Sequence, residues 1–124
     1  MNNKPLALIV EDDVDLAAIF AEAFGAAGYE TMVRYDGEAA LAVLADQMPA
    51  VVLLDMHLPK LSGEVVLRHI REDARLARTR VIIATADGTT TVGYPAEKAN
   101  IVLVKPVRFQ QLRHLAARLY PAGE

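Results

Sequence analysis

What most constrains the fold is an alternation: short, unbroken apolar runs, each closed by a polar residue, separated by segments with apolar residues at helical spacing. Leu6 to Val10 stops at Glu11, Asp12 and Asp13, as a strand buried on both faces would. Behind it, Leu16, Phe20 and Phe24 recur every four residues, with acids in front and Gly28 after them, the start and stop signals of a helix. The pair then repeats. Tyr29 to Tyr35 is rich in β-formers, and Asp36 can cap a helix whose apolar face is Ala40, Leu41, Leu44 and Met48. Ala50 to Leu54 reads as a central strand ending on Asp55; Pro59 then breaks the chain, and Ser62 can cap a helix carrying Val66, Leu67 and Ile70. Val81 to Ala84 and Ile101 to Val104 read as a fourth and a fifth strand. Phe109, Leu112, Leu115, Ala116 and Leu119 mark a closing amphipathic helix.

Strands alternating with helices argue for an α/β fold, a five-stranded, mostly parallel sheet doubly wound by helices, because right-handed crossovers cover both faces. One segment breaks the pattern. Between the fourth and fifth strands the sequence Asp87-Gly-Thr-Thr-Thr-Val-Gly-Tyr-Pro95 opposes helix with two glycines, a β-branched run and a proline. A loop is expected there, with at most a short helix started by Pro95, so the fourth helix is shortened or irregular.

The 124 residues, 53% hydrophobic and 23% charged, suit a single domain over 1–124 whose core needs no staples. With no cysteine, disulfides, thiolate metal sites and thiol nucleophiles are excluded. Lys+Arg number 13 against 16 Asp+Glu and no basic run appears, so nucleic acid is not expected as a direct partner. The first residues lack a signal pattern, and no apolar run approaches the roughly 18 residues of a membrane span. A cytoplasmic chain without membrane insertion is the expectation.

Ligands of open parallel sheets sit beyond the carboxyl ends of the strands. There this sequence places Glu11 and Asp12 after the first strand, Asp55 after the third, Thr85 after the fourth and Lys105 after the fifth. Each has an ordinary reading when taken singly: acids opposing a helix dipole, a turn aspartate before Pro59, a β-forming threonine, a solvated lysine. Their common edge favours a joint role. Three close carboxylates need a proton or a cation, and oxygen donors suit Mg²⁺, which leaves room for a phosphate oxygen. With an amine and a hydroxyl beside it, the set makes a phosphoryl-transfer site in which Asp55 is the nucleophile.

Leu-Ile-Val-Glu11-Asp12-Asp13, Leu-Leu-Asp55-Met-His57-Leu-Pro59, Ala-Thr85-Ala86 and Val-Lys105-Pro106 resemble, in order and spacing, the receiver domain of bacterial two-component response regulators. Asp36-Gly37-Glu-Ala-Ala-Leu41 also matches the family's second-helix pattern. The resemblance implies the strand order 2-1-3-4-5 of the chemotaxis member. It also implies that Asp55 accepts a phosphoryl group from a histidine kinase or histidine phosphotransfer protein, the domain catalysing only its own phosphorylation and dephosphorylation. Asp12, Asp55 and the backbone carbonyl of His57 would ligate Mg²⁺, Glu11 acting through a water. Thr85 and Lys105 would contact the phosphoryl group and relay its presence to a separate downstream protein.

Three departures stand out. Val102 occupies the position, three before the lysine, where the family commonly has a switching aromatic. The Gly88 to Pro95 segment replaces much of one wall of the usual partner surface. The sequence ends at Glu124 without an output domain, so a separate partner is expected to read the signal. His57 and Asp87, two residues after Asp55 and Thr85, border the path of attacking water, and a His57-Asp87 pair over the phosphoryl group would tune its lifetime. His69 and His114 read as structural or surface residues.

Two other function classes compete with this reading. A receiver-shaped binding module that is never phosphorylated is opposed by the intact Glu11, Asp12, Asp55, Thr85 and Lys105. A Mg²⁺-dependent phosphohydrolase of the haloacid dehalogenase type would need Asp-x-Asp-Gly-Thr. Asp87-Gly88-Thr89 matches only its tail, with Thr85 in the nucleophile's place. No GxGxxG after a strand, GxxxxGK[ST] or GxSxG occurs, which removes dinucleotide, P-loop and serine-hydrolase readings.

Overall fold

The computed structural model describes residues 3–86 and 98–121. Five parallel strands, β1 (Leu6–Val10), β2 (Glu30–Arg34), β3 (Val51–Leu54), β4 (Arg80–Thr85) and β5 (Ile101–Val104), form one sheet in the order β2-β1-β3-β4-β5. Among the described residues the α-helices with both ends in view are α1 (Val14–Ala26), α2 (Gly37–Asp46), α3 (Gly63–Glu72) and α4 (Phe109–Arg118). The expected order and doubly wound architecture are therefore present. The expectations for Asp87 and for the Gly88 to Pro95 segment fall outside the described residues.

The unbroken apolar runs are explained by two core layers. Leu8 and Val10, Val52 and Leu54, and Val81 and Ile83 pack under α2 and α3. Their alternating neighbours Ala7 and Ile9, Val51 and Leu53, and Ile82 and Ala84 pack under α1 and α4. With both faces covered, the three central strands have no solvent side on which polar residues would be tolerated. Edge strands β2 and β5 are only partly buried.

Polar caps set the helix starts where the sequence places them. The side chains of Asp13, Asp36 and Ser62 accept hydrogen bonds from the amides of Leu16, Ala39 and Val65. Gly28, after α1, has φ 104°, a left-handed turn that glycine makes at least cost, and a Cβ there would lie 2.9 Å from the Tyr120 ring.

Two details differ from the sequence reading. Met48 is not on the apolar face of α2: the helix ends at Asp46, Met48 is 65% exposed, and Val43 is buried instead. Pro49 accounts for this, because the residue before a proline is driven out of the helical region. The sequence also gave no notice of a 3₁₀ turn over Ala74–Leu76, begun by Asp73 accepting from the Arg75 amide and anchored by buried Leu76.

Candidate functional site

Backbone register fixes the carboxyl edge of the sheet. The Glu11 amide donates to the Arg34 carbonyl at 3.1 Å and the Asp55 amide to the Val10 carbonyl at 3.0 Å, so the carboxyl ends of β2, β1 and β3 stay in step. On the other side the Lys105 amide donates to the Thr85 carbonyl at 2.7 Å. The Lys105-Pro106 peptide is cis.

Glu11, Asp12, Asp55, Thr85 and Lys105 thus meet at one edge, as their strand-end positions predict. One carboxylate oxygen from each of Glu11, Asp12 and Asp55 lies within 4.8 Å of the others. Lys105 Nζ is 2.7 Å from Glu11 Oε1 and 3.5 Å from Asp55 Oδ2. Asp12 is exposed, whereas Glu11, Asp55 and Thr85 are buried at 2%, 6% and 0% exposure. A polar group buried among apolar strand ends is costly unless partnered, and Lys105 partners both Glu11 and Asp55.

The electrostatics are those of a crowded acidic pocket. Burial pushes the Glu11 carboxyl above its usual range, opposed by the Lys105 hydrogen bond and the Asp13 amide, and reinforced by the charge of Asp55. Burial alone would lower the Lys105 ammonium. The hydrogen bond to Glu11 and the charges of Asp55 and Glu11 outweigh it and leave the group raised, hence protonated. One ammonium pairs with two of the three carboxylates, Glu11 and Asp55.

The donor set fits a hard divalent cation. Opposite ligands of Mg²⁺ stand roughly 4 Å apart, so three carboxylate oxygens within 4.8 Å of one another need little movement to share one ion. A second positive charge would also offset the burial that raises Glu11.

The acceptor loop is held from two sides. The His57 amide donates to Asp55 Oδ1 at 3.0 Å, while the His57 side chain is exposed. The Gly63 amide, at the start of α3, donates to the Met56 carbonyl at 3.1 Å. A Cβ on Gly63 would run into the Asp55 carbonyl and lie 2.6 Å from Met56 Cα, so only glycine lets α3 seat against this loop. The sequence reading gave Ser62 a role and missed Gly63. The one available signal was a glycine immediately after a helix cap, eight residues past the acceptor.

Val102 lies in β5, half-buried on the α2/α3 side of the sheet, with its Cα partnering Ile83. His69 and His114 are exposed on α3 and α4, away from the site, as expected. Among the described residues, no helix is long and apolar enough to cross a membrane.

Comparison with known proteins agrees with this fold. The model of the response regulator receiver domain matches residues 7–117. Among curated proteins, a probable methanogenesis regulatory protein, FilR2 of Methanothrix harundinacea, is 32% identical, covering 86% of this chain and 75% of its own. The regulatory protein AtoC of Escherichia coli is 30% identical over 90% of this chain, which spans only 24% of that protein. Among solved structures, the signal receiver domain of a putative LuxO repressor from Vibrio parahaemolyticus superposes with a TM-score of 0.83 at 29% identity, covering 94% of this chain and 89% of that one. TrrA from Thermotoga maritima, solved in complex with Mg²⁺-BeF, gives 0.82 at 25% identity, with 93% and 98% covered. Such domains are signalling modules and not conventional enzymes. The chain belongs to the response regulator receiver domain family.

Proposed function

We propose that this chain is a phosphorylatable switch in which Asp55 takes a phosphoryl group from the phosphohistidine of a histidine kinase or histidine phosphotransfer protein. The observation that carries this reading is the convergence of the Glu11, Asp12 and Asp55 carboxylates with Lys105 at the carboxyl edge of the sheet. Asp55 Oδ1 is engaged by the His57 amide, which leaves Oδ2, on the Lys105 side, as the attacking oxygen. The bond from Oδ2 to phosphorus forms as the bond to the donor imidazole breaks, and the electron pair leaves with the imidazole nitrogen. Asp12, Asp55 and the His57 carbonyl would hold Mg²⁺, with Glu11 acting through a water; the ion's contribution is to neutralise charge on the transferring group.

Lys105 takes the acyl phosphate as a counterion, and the added charge of about -1.5 to -2 draws it away from Glu11. Thr85 presents its hydroxyl to the same group from β4. Val102 has no ring to rotate, so the relay from Thr85 to the β5 surface runs without an aromatic partner. His57, one amide from the acceptor, is the candidate for tuning phosphoryl lifetime together with Asp87. The signal then passes to a separate protein, and we place the cycle in the cytoplasm, where histidine kinases present their phosphohistidine.

Intact mass after incubation with Mg²⁺ and a small phosphodonor tests the proposal. One labile phosphate on the native chain and none on Asp55→Asn is expected. Steady hydrolysis of a phosphate ester would mean a phosphohydrolase, and no adduct with any donor would mean a binding module.

A further inference from the structure

A second polar site lies at the opposite end of the sheet. A concavity of about 1080 Å³ opens at the starts of β3 and β4, lined by Ala50 and Arg80 and also by Arg71, Arg75 and Arg78. β4 separates it from Thr85 by roughly 16 Å, the length of the strand. The sequence shows no basic run because these arginines are spread over ten positions, but the fold turns all four onto one cavity. No acidic residue is among its described lining, in a chain whose net charge is -3.

The four are not equivalent. Arg71 is committed to the framework, donating to the carbonyls of Thr79 at 2.9 Å and Lys98 at 2.7 Å and to Asn100 Oδ1 at 3.0 Å. Arg75 is shared between the Leu44 carbonyl at 2.5 Å and Asp73 at 3.2 Å. Arg78 and Arg80 are exposed, and no carboxylate among the described residues forms an ion pair with either. Two anchored guanidiniums beside two available ones form a positive recess. Exposed Met48 and neighbouring Pro121 add an apolar wall.

We propose that this recess binds a small polyphosphate anion, the phosphate chain lying across Arg78 and Arg80 and any attached ring against Met48 and Pro121. Guanidinium forks match phosphate oxygens two at a time, and a cavity of this volume suits a nucleotide-sized ligand. The site is independent of the reading given to Asp55. Its ligand could be inorganic or a nucleotide, since the chemistry recognised is the same.

Calorimetric titration of the native chain in Mg²⁺-free buffer with inorganic triphosphate, ATP and an acidic peptide of matched charge tests this. Saturable binding of triphosphate or ATP is expected, weakening with salt and falling at least about tenfold in Arg78→Ala/Arg80→Ala. Arg78→Lys/Arg80→Lys should retain part of the affinity, and a thermal melt confirms that each variant is folded. Equal binding of the two phosphates assigns the site to the phosphate chain alone, and tighter ATP binding to a nucleotide. No saturable binding up to millimolar ligand, binding unchanged in the double alanine variant, or preference for the peptide would overturn the proposal.

Discussion

Lys105 Nζ sits closer to Glu11 Oε1, at 2.7 Å, than to Asp55 Oδ2, at 3.5 Å. The lysine is therefore first the counterion of Glu11, and under the proposed function a shift toward Asp55 would bring it to the phosphoryl group.

Removing that counterion leaves three carboxylates facing one another. Lys105→Ala is expected to lose about 2 kcal/mol of stability in Mg²⁺-free buffer, less than for a fully buried pair because the lysine is 17% exposed. Mg²⁺ should raise the stability of the variant more than that of the native chain, since the ion supplies the missing charge. Urea denaturation with and without Mg²⁺ reads both effects, and equal Mg²⁺ stabilisation of the two proteins would argue against a shared cation site.

Gly63→Ala should be costly out of proportion to one methyl group, because its Cβ would press on the Asp55 carbonyl and on Met56 Cα. A loss of about 1–3 kcal/mol is expected from overpacking. The displaced loop should also slow phosphorylation of Asp55. A variant of native stability and native phosphorylation rate would show that α3 does not position the acceptor.

Much of this was legible beforehand, for physical reasons. Strands buried on both faces must be apolar throughout, and the polar residue ending each one is conspicuous, which is how Glu11, Asp55 and Lys105 could be assigned to one edge. Gly63 was not legible, because a close backbone approach between residues eight apart leaves no periodic trace. Arg71, Arg75, Arg78 and Arg80 were not legible as a group for a related reason: spacings of four, three and two follow no single period, and the four lie on α3, the 3₁₀ turn, the segment after it and the start of β4, which only the folded chain brings together. Met48 was misassigned because helical spacing was followed past the reach of Pro49.

Tyr29 offers a test of the α1/α4 layer. Its hydroxyl donates to the Ala116 carbonyl at 2.9 Å and its ring lies edge-on to Phe24 and Tyr120. Burial, against the opposing charge of Arg80, pushes the phenol up to about 12. In the unfolded chain it ionises near 10, so the folded state holds this proton more tightly. The stabilisation is complete below about pH 10 and is lost as pH rises toward about 12. Tyr29→Phe should cost about 1 kcal/mol at neutral pH and blunt the alkaline loss, as followed by thermal melts across that range.

Asn100 ties the start of β4 to the turn before β5: its Oδ1 accepts from the Val81 amide at 2.8 Å and from Arg71 at 3.0 Å. Asn100→Ala removes both and should destabilise by about 1–2 kcal/mol. Hydrogen exchange should accelerate at Val81, and protection equal to the native chain there would show that the side chain is dispensable.

The most direct measurement is chemical trapping of the acceptor. After reaction with a phosphodonor and Mg²⁺, borohydride reduces an aspartyl phosphate to homoserine, and peptide mass mapping locates the converted residue. The account predicts conversion at position 55 alone, dependent on Mg²⁺ and reduced in Lys105→Ala. Conversion at Asp12 or elsewhere with residue 55 intact, or conversion at 55 indifferent to Mg²⁺, would contradict it.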